Sequence, residues 1–151
     1  MSGTQIAGGE IVTTATELCD RIEQGCYDIV QPDATVIGGI GPTLEVFSNA
    51  RRHGCKVYVH CWGGSVGMMA NYHAALAGGG IVAEWPIKPY VLREALAVSA
   101  WSVANGQITL SDAPGLGVRL TPEIEREYAF RDDAVYHCLV DPTRIPLAEW
   151  R

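Results

Sequence analysis

Glu10, Asp33, His60 and Glu84 are the residues of this chain whose types and spacing could do chemistry. Each follows a short apolar run that reads as a strand. Ile6-Ala7 and two glycines precede Glu10, Ile29-Val30 precedes Gln31-Pro32-Asp33, Val57-Tyr58-Val59 precedes His60, and Ile81-Val82-Ala83 precedes Glu84. A histidine just past a strand suits general acid/base work, because its unperturbed pKa of about 6.5 lies near neutrality. Neighbouring parallel strands lie about 4.8 Å apart, so Asp33 and His60 on consecutive strands could share a hydrogen bond. An aspartate on one imidazole nitrogen fixes the tautomer and raises the basicity of the other, which makes a general-base dyad. Glu84 stands among apolar residues, where a carboxylate is rarely left without a partner.

These positions also have ordinary readings. His60 alone could be a satisfied structural histidine. Asp33 after Pro32 could cap a turn, and Glu10, ahead of a helical pattern, could serve that helix's N-terminal dipole. Other chemistry is less well placed. His53, Cys55, His60 and Cys61 suggest zinc by spacing, but a strand from Cys55 to His60 spans about 16 Å, which separates its two ends too far for one ion. The glycines of Gly38-Gly39-Ile40-Gly41 and Gly115-Leu116-Gly117 complete no phosphate-loop pattern and read as loop glycines. Cys61 adjoins His60 in sequence, which does not make the thiol a nucleophile. His73 inside a helix and His137 near the tail read as structural.

The elements that must position these side chains alternate. Residues 11–24 carry Val12, Ala15, Leu18, Cys19 and Ile22 at helical spacing, and Gly25 ends that helix. Residues 26–31 form a strand that Pro32 terminates, followed by a glycine-rich loop over 34–41. Residues 42–52 form a helix with Pro42 in its first turn and Leu44, Val46, Phe47 and Ala50 as core positions. The strand at 57–59 leads through a small-residue loop into a helix capped by Ser65, which runs out in Gly78-Gly79-Gly80. Residues 81–83 are a further strand. The order β, α, β, α, β, α, β marks an α/β fold with a parallel sheet built from right-handed crossovers. All four candidate side chains then share the C-terminal edge of that sheet, where α/β active sites are built.

Beyond Pro86 the alternation breaks. Residues 90–104 read as helix or extended connector, and 107–110 as a strand after the Asn105-Gly106 turn. Residues 111–118 form a loop, Thr121-Pro122-Glu123 opens a short helix through Tyr128, and 131–151 is a polar, proline-punctuated tail.

The 151 residues suffice for one ordinary domain, and 48% hydrophobic with 19% charged residues is a globular composition. A formal charge of −6 and no basic cluster beyond Arg51-Arg52 argue against nucleic acid. No apolar run approaches the roughly 18 residues of a membrane span. The first residues carry no secretion signal. The odd count of five cysteines fits reduced thiols. The expectation is a cytoplasmic protein that engages neither nucleic acid nor membrane.

Taken jointly, Ile6-Ala7-Gly8-Gly9-Glu10, Asp28-Ile29-Val30-Gln31-Pro32-Asp33 with Gly38-Gly39, Val57-Tyr58-Val59-His60, Ala83-Glu84-Trp85-Pro86 and Pro114-Gly115-Leu116-Gly117-Val118 resemble the C-terminal half of the enolase-superfamily barrel. The likeness is to its mandelate racemase/muconate lactonizing enzyme-like branch, which includes acid-sugar dehydratases. The resemblance spans about residues 5 to 120 in family order. It implies a partial (βα) barrel of TIM type, about four C-terminal βα units over 1–110, with 111–151 as an extension that in the family packs towards a capping domain, itself absent. It implies Glu10 as a Mg2+ ligand, His60 and Asp33 as the general acid/base dyad, and Glu84 as the carboxyl group that hydrogen-bonds the substrate carboxylate as it becomes an enediolate. The implied step is removal of the proton α to the carboxylate of a small hydroxy-acid or sugar acid, followed by dehydration or racemisation.

On that resemblance the first four barrel strands and two further metal-ligand carboxylates would precede residue 1. One carboxylate is too few to hold Mg2+ tightly, so the isolated chain is expected to be inactive and to need a missing N-terminal half or a second copy of itself. The alternative expectation is a non-catalytic, self-associating half-barrel that buries its open strand edges.

Overall fold

The computed structural model describes residues 3–87 and 90–130. Its central sheet is parallel and runs in chain order: β1 (Ala7–Gly8), β2 (Ile29–Val30) and β3 (Lys56–Val57). Register pairs Gly8 with Val30 and Val30 with Val57. Pairing continues past these short strands. Tyr58 N–H donates to the Val30 carbonyl and His60 N–H to the Pro32 carbonyl, and a parallel bridge joins Val59 to Ala83. The apolar run at 81–83 therefore contributes one bridge rather than a full strand. Its first residue, Ile81, is 93% exposed.

Between β1 and β2 lies α1 (Ala15–Glu23). It starts later than periodicity predicts, because the Thr14 hydroxyl accepts from Glu17 N–H and so caps it there, while Ile11 is 82% exposed. Ala15, Leu18 and Ile22 form its buried stripe. The expected loop after Asp33 is in part helical, as α2 (Ala34–Ile37), ended by Gly38 in the left-handed region at φ 103°. Helix α3 (Ile40–His53) follows, buries Val46, Phe47 and Ala50, and is closed by Gly54. Helix α4 (Ser65–Gly78) takes Gly64 at its N-cap position. Ser65 is not the cap, and its buried hydroxyl has no hydrogen-bond partner among the described residues.

The ambiguous segment after Pro86 resolves into α5 (Val91–Leu96) and then β4 (Trp101–Ala104), which pairs antiparallel with β5 (Gln107–Leu110). Asn105 and Gly106 both have positive φ, 53° and 73°, as a tight hairpin turn requires. Helix α6 (Pro122–Glu127) is capped by Thr121. Two apolar clusters hold the layers. One packs α1 and α3 on the sheet through Val12, Leu18, Ile22, Val30, Ile37 and Val46. The other gathers Phe47, Val59, Met68, Met69 and Tyr72 around α4, with Trp101, Ile108, Leu116 and Val118 against it. Among the described residues no helix is long and apolar enough to cross a membrane.

Candidate active site at the C-terminal edge of the sheet

The ladder bonds carry the backbone to the ends of the strands, and the candidate side chains stand just beyond. Gln31 N–H donates to the Gly8 carbonyl, which sets Pro32-Asp33 one step past β2, and the His60 bond to the Pro32 carbonyl sets the imidazole next to it. Glu84 N–H donates to the Val59 carbonyl. Gly9 turns the chain out of β1 at φ 109°, where an added Cβ would stand 2.8 Å from Leu18 Cδ2, so Glu10 leaves the sheet over a close backbone approach.

His60 is the centre of the group. Its Nδ1 lies 2.9 Å from Asp33 Oδ2, and its Nε2 lies 3.5 Å from Glu10 Oε2 and 4.0 Å from Glu84 Oε2. The surroundings grade from closed to open. The side chain of Asp33 is 4% exposed, His60 20%, Glu84 35% and Glu10 51%. One imidazole nitrogen is thus buried against a carboxylate, while the other faces the mouth.

Asp33 performs both roles that its position suggests, with different oxygens. Oδ1 accepts from Thr35 N–H, which caps α2, from the Thr35 hydroxyl and from Asn71 Nδ2, each at 2.8 Å. Oδ2 takes His60. Burial pushes the Asp33 carboxyl up, but the hydrogen bonds from Asn71, Thr35 and His60 outweigh it and hold the group below its ordinary value. Glu10 does not serve a helix dipole, since α1 begins only after Thr14. Glu84 has the partners its apolar context demanded. Gln31 Nε2 donates to Oε1, Cys61 N–H donates to Oε2 at 3.2 Å, and the Tyr72 hydroxyl donates to the Glu84 carbonyl at 2.9 Å.

Gln31, Asn71, Thr35 and the Cys61 amide were not singled out by sequence reasoning. Asn71 did leave a signal, a poor helix former within the apolar run of α4. The Cys61 side chain is buried, and burial with the nearby charges of Asp33 and Glu84 pushes its thiol up to about 12. That is the opposite of an activated nucleophile. His53 approaches Glu23 at 3.9 Å, away from this group, His73 lies within α4, and His137 falls outside the described residues.

The donor set bears on a metal. Glu10 offers a hard carboxylate oxygen of the kind Mg2+ prefers. Among the described residues no three His, Cys, Asp or Glu side chains converge as a metal-holding group.

Known proteins are similar to this chain in sequence and in fold. A D-galactarolactone cycloisomerase of Agrobacterium fabrum is 27% identical over 137 residues, covering 84% of this chain and 36% of the other. An L-talarate/galactarate dehydratase of Salmonella typhimurium is 30% identical over 127 residues, covering 82% of this chain and 29% of the other. The crystal structure of a mandelate racemase/muconate lactonizing enzyme from Jannaschia sp. CCS1 superposes with a TM-score of 0.75 at 28% identity, covering 88% of this chain and 34% of that one. The chain spans about a third of the length of the curated relatives it matches. The family model described as enolase C-terminal domain-like matches residues 1–124. With the parallel βα order and the His60 cluster at the sheet's C-terminal edge, that match makes the chain a member of the enolase C-terminal domain-like family of the enolase superfamily, whose fold is an α/β barrel of TIM type.

Proposed function

We propose that this chain supplies the acid/base side of the active site of an enolase-superfamily enzyme that removes the proton α to the carboxylate of a sugar acid or related hydroxy-acid. The observation that carries the reading is His60, with Asp33 on Nδ1 and with Nε2 turned towards the carboxylates at the mouth. His60 Nε2 takes the α-proton, and the C–H bonding pair moves into the substrate carboxylate to give an enediolate. Asp33 holds the other ring proton and stabilises the imidazolium that forms. The Glu84 carboxyl group, held by Gln31 Nε2 on Oε1 and by the Cys61 N–H on Oε2, hydrogen-bonds the substrate carboxylate as charge develops there.

The likeness to a dehydratase and a cycloisomerase of sugar acids supports this substrate class. After the shared step the product is set by what leaves or where the proton returns: loss of a β-hydroxyl for a dehydratase, return of the proton to the opposite face for a racemase. Glu10 is proposed as one carboxylate ligand of Mg2+, with the remaining ligands coming from outside the described residues. The exposed apolar residues Ile6, next to β1, and Ile81, in the run bridged to Val59, are where further strands of a barrel would pair. In this reading residues 1–110 are four βα units and 111–151 an extension, within a cytoplasmic enzyme.

The test is exchange of the substrate α-proton in 2H2O, followed by proton NMR on the complete enzyme with sugar acids. Exchange that disappears in both His60→Ala and Glu10→Gln supports the proposal. Exchange retained in either variant overturns the corresponding assignment.

A further inference from the structure

Asn71 lies on α4, outside the group at the sheet edge, and is 1% exposed. An amide so buried needs partners for both its donor and its acceptor. It finds both at the junction of β2 and α2: Nδ2 donates to Asp33 Oδ1 at 2.8 Å, and Oδ1 accepts from Ala34 N–H at 2.8 Å. Together with Thr35 it loads Asp33 Oδ1 with three donors and leaves Oδ2 to His60. One turn earlier on the same helix, Gly67 lies against Thr35, and a Cβ there would stand 2.6 Å from Thr35 Cγ2. Helix α4 therefore reaches the junction closely because that turn has no side chain.

We infer that Asn71 is a positioning residue that fixes the rotation of the Asp33 carboxylate, so that Oδ2 meets His60 Nδ1 and Nε2 is left without a proton towards the mouth. The inference rests on reading His60 and Asp33 as the acid/base pair. Only an amide supplies the required donor and acceptor together. Aspartate would offer a carboxylate to a carboxylate, leucine would offer nothing, and serine is too short to span both partners.

The imidazole tautomer reads this directly. In the 15N-labelled chain, long-range 1H–15N correlations at a pH where the ring is neutral report which nitrogen bears the proton, with His60 assigned from a His60→Gln spectrum. The wild type is expected in the Nδ1–H form. Folded Asn71→Leu is expected to shift to the Nε2–H form, and α-proton exchange in the complete enzyme to fall by about 10²-fold, as for a misplaced catalytic group. If Asn71→Leu loses its dispersed amide spectrum, Asn71→Ser and Gly67→Ala give the same readout. A wild type in the Nε2–H form, or a folded Asn71 variant that keeps the Nδ1–H form, overturns the inference. A wild type in the Nδ1–H form whose complete enzyme exchanges no α-proton overturns the proposed function and leaves the positioning role standing.

Discussion

His60 Nδ1 and Asp33 Oδ2 meet at 2.9 Å, joining the segment after β3 to the end of β2. The bond leaves Nε2 as the ring nitrogen that can accept a proton at the mouth. Removing the imidazole by His60→Ala is expected to lower α-proton exchange by about 10²–10⁴-fold, the range for a positioned general base. Asp33→Asn keeps the shape but offers an amide, which can donate to Nδ1 and so favour the wrong tautomer, and a loss of the same order is expected. Exchange rates of the two variants on one substrate check both expectations. A normal rate in Asp33→Asn would show that the tautomer is set by something other than this bond.

Gln31 and Glu84 form the second pair that crosses the sheet edge. A side-chain hydrogen bond of this kind contributes about 0.5–1.5 kcal/mol, which corresponds to a factor of roughly 2–13 in rate when it holds the Glu84 carboxyl group in place at the transition state. Among the described residues, Gln31→Leu leaves the Glu84 carboxyl group with the Cys61 N–H alone as a hydrogen-bond donor. The expected result is a fall in kcat within that range and a smaller change in KM, because an interaction that strengthens as charge develops acts mainly on kcat. Steady-state kinetics separates this from simple loss of binding, which would raise KM and leave kcat in place.

Acid stability should carry the signature of Asp33. Its carboxyl is held below the ordinary range by donors that outweigh its burial. A depressed folded-state pKa contributes stability that is fully present above the unfolded value of about 3.9. It is lost as pH falls through the folded value. Melting temperatures measured from about pH 7 down to pH 2.5 should show a steep acid limb below about pH 4 in the wild type. Asp33→Asn should be less stable at neutral pH with a flatter limb. Parallel limbs in the two proteins would mean that other carboxylates dominate acid unfolding.

Much of this was legible in the residues, and the exceptions have physical causes. The strand-end positions of Asp33 and His60 follow from parallel pairing, because ladder bonds such as His60 N–H to the Pro32 carbonyl fix where each strand stops. The run at 81–83 looked like a full strand because its composition matches the other three, yet only Ala83 is bridged, to Val59, and Ile81 is exposed. Helix α1 started late because a local cap, Thr14, overrode an apolar periodicity that extended upstream to Val12. Ser65 looked like a cap by type, yet backbone geometry gave that place to Gly64. Asn71 and Gln31 went unnoticed because their importance lies in partners 38 and 53 residues away, which no local pattern encodes.

Cys61 offers a test of the electrostatics that needs no substrate. Cys61 is 3% exposed, and its thiol is pushed up to about 12, first by burial and then by the charges of Asp33 and Glu84. At pH 8 a thiol of that pKa is ionised to only about one part in 10⁴, and the thiolate is the reactive form. Cys26 is exposed and free. Treating the native protein with iodoacetamide at pH 8 should therefore label Cys26 readily and spare Cys61, as read by mass spectrometry of the modified peptides. Labelling of Cys61 should appear on unfolding in denaturant, when burial and both carboxylates are removed together. Rapid labelling of Cys61 in the native protein would contradict the burial and the raised pKa of this thiol.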